Sequence, residues 1–359
     1  NVLVQKDSTQ FRGLKAVICD FEFTRKMQDG RSKLSVSQAA VGTQGWMPRE
    51  VLEIDGHTRL TPSVDIFAYG CIVHYVLCGN RDKPVLHPYG SDVQRDHNIM
   101  EQTRCEYVSL NLYPSDSNSD ESLEVEELSR DDYLGDAILA DMLIGQCVSG
   151  YAELRPLASE LLSHPFFWNY SKKMICCEAM FNGLKSLPIH RKSKKKSQMD
   201  KMWRSLTTVH VFSHYIPEAW EYYLFYRQSI GKGFPPEHVT SSLYNGLMRF
   251  IRNLQQHYNE AIRIYPQLAS TIPSGDNETI GRYFFERIPM LFPVIYMFSL
   301  STNSENMNPF DEEYLFRLNE RTLAVLSKDP QIIKKRGQPV TMIGPWGQAD
   351  YDASSDYLW

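Results

Sequence analysis

The sequence predicts a mainly α chain, and three observations carry that prediction. "PSVDIFAYGCIVHYVLCG" (62–79) is a largely apolar stretch ended by Gly79, with a length that suits a buried core helix. In "LMRFIRNLQQHYNE" (247–260), Leu247, Phe250, Ile251, Leu254 and Tyr258, continued by Ala261, recur at the i, i+3, i+4, i+7 spacing of one helical face. Strand-like runs are confined to residues 1–27.

Taken in order, "NVLV" and "LKAVICDFEF" read as short strands, and the apolar run of the second suits a buried one. The Gly, Ser, Lys and Gln of residues 28–40 read as a mobile loop. The long apolar helix follows at 62–79. "PSDSNSDESLEVEELSRDD" (114–132) is an acidic, Ser-rich insertion, too poor in apolar residues to bury a core at its start. Helical patterns resume near residue 135 and end in "RPLASELLSHPFFW" (155–168). "HRKSKKKSQ" (190–198) reads as a basic low-complexity loop, and helices then dominate to about residue 300. The tail, 330–359, has Pro, Gly and Asp without a clear period and is expected to be loosely held. No internal repeat is visible.

Composition narrows the functional classes. The chain has 359 residues, enough for two domains, and its 42% hydrophobic and 23% charged content is that of a globular protein. A net charge of −5 means that any nucleic-acid contact has to come from a local basic patch. Seven cysteines without a C-x-x-C pair read as reduced thiols, the cytosolic or nuclear pattern. No apolar run approaches the length of a membrane span. The opening "NVLVQKD" lacks a methionine, so the chain is expected to be part of a longer protein.

Five motifs in order resemble the C-terminal lobe of a protein kinase. "ICDFEF" resembles the metal-binding Asp-Phe-Gly segment, and "NVLV" the end of the catalytic loop, with Asn1 at the position of the second Mg²⁺ ligand. "VGTQGWMPRE" resembles the end of an activation segment, Glu50 standing for the Glu of Ala-Pro-Glu. "SVDIFAYGC" matches the helix that follows, and "LRP" supplies Arg155, the usual ion-pair partner of that Glu. The resemblance implies ATP or ADP with Mg²⁺ held by Asn1 and Asp20, and phosphorylation of Ser32, Ser35 and Ser37. The Gly-rich loop, the strand lysine, its helix glutamate and the catalytic-loop aspartate have no counterpart here, so this chain alone is expected not to phosphorylate. Glu22 replaces the glycine of Asp-Phe-Gly, which sets a second carboxylate beside Asp20.

"SHPFFW", running directly into helices, resembles the junction between a kinase lobe and the kinase-extension nuclease domain of the inositol-requiring endoplasmic-reticulum stress sensors, with ribonuclease L as the related branch. The expected layout is a truncated kinase C-lobe at 1–170, an all-helical nuclease domain at 171–305 and a C-terminal extension at 306–359. "MRFIRNLQQHY" resembles the family's catalytic helix and "GRYFFERIPMLFPVIYMF" (281–298) its closing segment. On that motif His257 takes the general-acid position, Arg252 the phosphate-stabilising position, and Asn253 holds the scissile geometry. Asn253 and His257 are one turn apart, while Arg252 lies on the order of 140° round an ideal helix from His257.

On the residues alone, Arg249, Arg252 and Arg263 read first as a solvated face. The family's tyrosine before this helix has no direct match. "YRQSIGKGFPPEHVTSS" (226–242) has Ile230 where it is expected, Tyr226 as the nearest candidate and Tyr244 as another. Lys194, Lys195, Lys196 and Lys201 read first as a solvated linker and second as an RNA-tracking patch. His210 and His214, spaced i, i+4 without a third ligand, read as structural.

The resemblance implies an endoribonuclease that leaves 2′,3′-cyclic phosphate without a metal cofactor. It also implies a stem-loop RNA substrate, a homodimer or higher oligomer with the kinase lobe as a nucleotide-sensitive scaffold, and a Ser/Thr kinase in the intact parent. The parent's place would be the cytosolic side of the endoplasmic reticulum membrane. The rival readings are a ribonuclease-L-like nuclease with a pseudokinase and a catalytically dead scaffold that binds nucleotide or partners.

Overall fold

The structure, a computed structural model, describes residues 1–9, 13–22, 24, 34–35, 42–53, 59–78, 87–111, 134–206, 242–264 and 266–300. These fall into two compact units. The first holds the described residues up to Glu106 together with Gln146–Ala158. The second holds Tyr107–Gly145 and the described residues from Ser159 onward. The acidic insertion, Ser32, Ser37, Tyr226, Ile230, His210, His214 and the extension from 306 lie outside the described residues.

In the first unit, β1 (Val2–Lys6) pairs antiparallel with β2 (Leu14–Ile18), in register from Val2↔Ile18 to Lys6↔Leu14. The strands form as the sequence predicts, but the expected burial does not follow. Leu3 is 62%, Val4 67% and Ile18 70% exposed. Among the described residues the sheet has these two strands, and none of them packs a second layer over its apolar face. A second correction falls within the stretch expected to be a loop. There β3 (Leu34–Ser35) pairs with β4 (Arg59–Leu60), which places the backbone of Ser35 in a short ladder.

Between those strands lies α1 (Arg49–Leu52), and α2 (Ser63–Cys78) follows as the central helix of the unit. Its buried side is Ile66, Phe67, Gly70, Cys71 and His74. Gly70 is needed for close approach, since a Cβ there would sit 2.6 Å from Cβ of Cys147. The Tyr89 hydroxyl donates to the Val148 carbonyl at 2.8 Å, and its ring stacks on Phe67. Beyond it comes α3 (Arg95–Met100). Burial pushes the Cys71 and Cys147 thiols up to about 12, so both act as protonated, apolar fillers. None of the seven cysteines is in a disulfide.

Arg155 ties this unit together. Its guanidinium donates as a fork to Glu50, 2.6 Å to Oε1 and 2.9 Å to Oε2. It also donates to the carbonyls of Ser63 (3.0 Å) and Ser149 (2.7 Å) and lies over the Phe67 ring. The side chain is wholly buried while Glu50 keeps a 21% exposed edge. Four donated bonds and an aromatic face offset the desolvation of the charge.

Every regular element among the second unit's described residues is helical. Its elements are α4 (Val108–Asn111), α5 (Leu134–Cys147), α6 (Ala158–Leu161), α7 (Tyr170–Ser186) and α8 (Ile189–Leu206). A π-turn (Leu243–Met248) leads into α9 (Arg249–Ile264), then α10 (Leu268–Thr271), α11 (Asn277–Arg287) and α12 (Leu291–Leu300). Asp141 caps α4 by accepting from the N–H groups of Val108 and Ser109, and Asn169 caps α7 through Lys172 N–H. Burial pushes the His164 imidazole down to about 4, so it is neutral and its Nδ1 accepts from Phe166 N–H.

The basic run at 190–198 is not a loop but the first half of α8. Lysine and arginine are good helix formers, and Met199 and Trp203, spaced i, i+4 and fully buried, anchor the helix to the core. Among the described residues no helix is long and apolar enough to cross a membrane.

Replacing Glu50 by Gln strands the buried Arg155 charge. Chemical unfolding of E50Q is expected to show a loss of roughly 3–5 kcal/mol. A loss below about 1 kcal/mol would mean that the fork does not hold the unit.

Candidate functional site

The apolar stripe read from the sequence is the buried side of the π-turn and α9. Leu247, Phe250, Ile251, Leu254, Tyr258 and Ala261 are all buried. Their neighbours are the aromatic and aliphatic residues of α7, α8, α11 and α12. The single regular helix expected over 247–260 is not what forms. The chain enters through a π-turn, and His257 leaves helical geometry, with φ −118° and ψ 22°. The angular offset expected between Arg252 and His257 assumes a straight helix, and the kink removes that assumption.

At the kink the His257 side chain is 44% exposed, and its Nδ1 lies 3.4 Å from Oε2 of Glu260. The imidazole is therefore open to solvent on one side and faces a carboxylate on the other. Asn253, one turn earlier, is half-buried. Arg252 is held differently. Its guanidinium carbon lies 5.4 Å over the Phe181 ring, and its buried Nε has no hydrogen-bond partner among the described residues. The weak hydration of a guanidinium and the negative face of the ring make this placement tolerable.

Phe181 belongs to a longer stack. Tyr244 stacks on it with centroids 4.7 Å apart and planes 11° from parallel, and Lys196 Nζ sits 4.0 Å over the Tyr244 ring. Cation, ring, ring and cation thus connect α8, the π-turn, α7 and α9. Tyr244, one of the two tyrosine candidates for the base, is 4% exposed, and its hydroxyl donates to the Phe181 carbonyl. Burial raises its pKa, opposed by the charge of Arg252. It is a packing residue, and its proton is held.

Asp200 on α8 fixes the start of the π-turn. Its carboxylate accepts from the N–H of Leu243 (2.8 Å), more weakly from that of Tyr244, and from the Ser242 hydroxyl. The Ser242 oxygen in turn accepts from Asn245 N–H. Asp200 and Glu260 escape a reading of the sequence alone, and Lys196, read there within a solvated linker or an RNA-tracking patch, is instead packed on Tyr244. The one local signal is Ser242, a capping residue set just before the apolar stripe.

In the first unit, Asn1 and Asp20 do come together, with Asn1 Nδ2 2.5 Å from Asp20 Oδ2. Asp20 takes a left-handed backbone, φ 64°, unusual for a residue with a side chain. Glu22 and Phe21 beside it are exposed. A carboxylate and an amide oxygen are the hard donors that suit Mg²⁺, which takes few protein ligands and completes its shell with water and nucleotide phosphates. These residues fit such an ion. Among the described residues no group of three or more His, Cys, Asp or Glu could hold a metal by itself.

Comparison with known proteins adds two family matches, to the protein kinase domain over residues 1–167 and to Ribonuclease 2-5A over residues 194–314. The chain is 27% identical over 308 residues to the serine/threonine-protein kinase/endoribonuclease IRE2 of Homo sapiens, covering 86% of this chain and 28% of the relative. It is 24% identical to the sensor for unfolded proteins in the ER, ire1, of Schizosaccharomyces pombe, covering 77% and 24%. It is 22% identical to an inactive serine/threonine-protein kinase/endoribonuclease IRE1-like protein of Arabidopsis thaliana, covering 87% and 50%. The chain thus spans less than a third of the first two relatives and half of the third.

Asp200→Asn keeps the size of the cap but removes its charge. Thermal unfolding is expected to show a loss of roughly 1.5–3 kcal/mol, the worth of hydrogen bonds to a charged acceptor. An unchanged transition would show that the π-turn holds itself.

Proposed function

Because the chain carries protein kinase and ribonuclease 2-5A domains and is homologous over most of its length to serine/threonine-protein kinase/endoribonucleases, we propose that it is the kinase-lobe and nuclease region of an endoribonuclease of the unfolded-protein response. The observation that carries this reading is the R-N-x-x-x-H helix, which lies within the matched ribonuclease segment and presents His257 half-exposed at a kink.

The chemistry follows from what RNA offers. The 2′-hydroxyl attacks its own phosphodiester, a phosphorane forms, and the 5′-oxygen departs, leaving a 2′,3′-cyclic phosphate. His257 donates the proton to the departing oxygen, which is otherwise a poor leaving group. Arg252 supplies positive charge to the phosphorane, and its mounting on Phe181 removes much of the freedom that a free arginine would have to give up. Asn253 orients the scissile phosphate. Tyr226, in the segment before the π-turn, takes the base role, since Tyr244 is packed away. No metal enters this reaction.

In the kinase lobe, Asn1 and Asp20 would hold Mg²⁺ with ATP or ADP, and the ion would neutralise nucleotide phosphates. The lobe then acts as a nucleotide-sensitive scaffold for a homodimer or higher oligomer, and Ser32, Ser35 and Ser37 are the phosphorylation sites. The intact parent is a Ser/Thr kinase on the cytosolic side of the endoplasmic reticulum membrane, and its substrate is a stem-loop RNA. A second reading, a scaffold that does not cut, draws support from Glu22 beside Asp20 and from the relative named inactive.

The two readings part on one series. His257→Ala is expected to slow cleavage of a stem-loop RNA by roughly 10²–10⁴-fold, and Arg252→Ala to cost about 3–4 kcal/mol in the cleavage barrier. A substrate with a 5′-phosphorothiolate needs no proton on the leaving group, so it rescues H257A and not R252A. Equal responses of the two variants would remove His257 as the acid. Absence of cleavage in the unsubstituted chain would favour the scaffold.

A further inference from the structure

Helix α8 was expected to be a solvated linker, and its fold changes what its lysines do. Lys192, Lys196 and Asp200 are spaced i, i+4, i+8, so they share one face of the helix. That face is turned to the π-turn, since Lys196 and Asp200 both contact it. Lys196 does not hang in solvent. Its Nζ sits over the Tyr244 ring and donates to Asn245 Oδ1 at 3.0 Å. Two contacts thus fix the position of an ammonium that would otherwise sample many rotamers.

Asp200, on the same face, offsets part of that charge while it is engaged at the π-turn. Both oxygens of Asp200 accept from the backbone and hydroxyl groups that open the π-turn. The other charges near Lys196 are cations. Burial first, and then Lys192 and Arg249, lower the Lys196 pKa, with Asp200 acting against them. Like charges gathered on a fixed frame raise the energy of the empty surface, and an anion relieves it. Arg249 lies one turn before Arg252 on α9, and in the stacked pair Tyr244–Phe181 Lys196 lies over the Tyr244 ring and Arg252 over the Phe181 ring. The cationic surface therefore continues to the proposed scissile phosphate.

We propose that Lys196, with Lys192 and Arg249 beside it, forms a binding site for a backbone phosphate of the RNA, adjoining the phosphate that Arg252 contacts. The site rests on the nuclease reading for its ligand. It contacts backbone only, so it contributes affinity and register without choosing bases. Lys194 and Lys201, exposed on the same helix, are not part of it.

The test is fluorescence anisotropy of a 5′-fluorescein stem-loop RNA across a KCl series, with the full chain in a non-cleaving H257A background. Lys196→Ala is expected to weaken binding several-fold and to lower the slope of log K against log salt by about 1. Lys196→Arg, which keeps the charge and the ring contact, is expected to stay near the background. Lys192→Ala, which leaves the Lys196–Tyr244 contact in place, is expected to lower the slope as well and guards against a merely unfolded K196A. In the cleaving chain, K196A is expected to raise KM with kcat unchanged. A chain that binds RNA with a Lys196-dependent slope but cuts nothing would overturn the nuclease reading and keep this site. Cleavage by the unsubstituted chain, with affinity and slope unaltered in both K196A and K192A, would overturn the site and keep the reading. Lysine-dependent retention on phosphatidylserine vesicles without salt-dependent RNA binding would also overturn it.

Discussion

The carboxylate of Asp200 sets the register of the proposed nuclease site. A π-turn has one more residue per hydrogen-bonded turn than an α-helix, so it rotates everything after it around the helix axis. Where the π-turn begins therefore decides which residues of α9 face the core and which face out. Asp200 fixes that beginning by accepting from Ser242, Leu243 and Tyr244. With the turn pinned, Tyr244 lands on Phe181, Lys196 lands on Tyr244, and Arg252 lies over Phe181. One charged cap upstream thus places Arg252, the cation of the proposed chemistry, and Lys196, the cation of the proposed phosphate contact.

The first unit shows the same logic in a different form. Arg155 is buried, and its four donated hydrogen bonds reach α1, the start of α2 and the chain after α5. Its strength depends on Glu50 remaining charged, because the fork satisfies a guanidinium that water no longer reaches. In both units a single ion organises segments that are far apart in sequence, and the apolar core fills in around it.

What the sequence made legible follows from how local each signal is. The stripe from Leu247 to Ala261 could be read because helical spacing is a property of neighbouring residues, and all of it is buried. Glu50 and Arg155 could be named because each lies in a motif of fixed order, although 105 residues separate them. The π-turn could not be read, since its cap is a carboxylate more than forty residues upstream. The fold of α8 was hidden for a related reason. Composition marks Lys194–Lys196 as solvated chain, and only burial of Met199 and Trp203 against distant helices makes a helix of it. The exposed β1–β2 ribbon failed in the opposite direction, because an apolar run says that a strand wants a layer above it and not that one is present. The kink at His257 has no Pro or Gly at its own position to announce it.

The proposed reaction cuts RNA by proton transfer and charge stabilisation from α9, with no metal ion. The most direct measurement is end-group analysis of a stem-loop RNA incubated with the full chain in EDTA. The account predicts cleavage that leaves 2′,3′-cyclic phosphate and 5′-hydroxyl ends. Cleavage that appears only on adding Mg²⁺ and leaves 3′-hydroxyl and 5′-phosphate ends would contradict it.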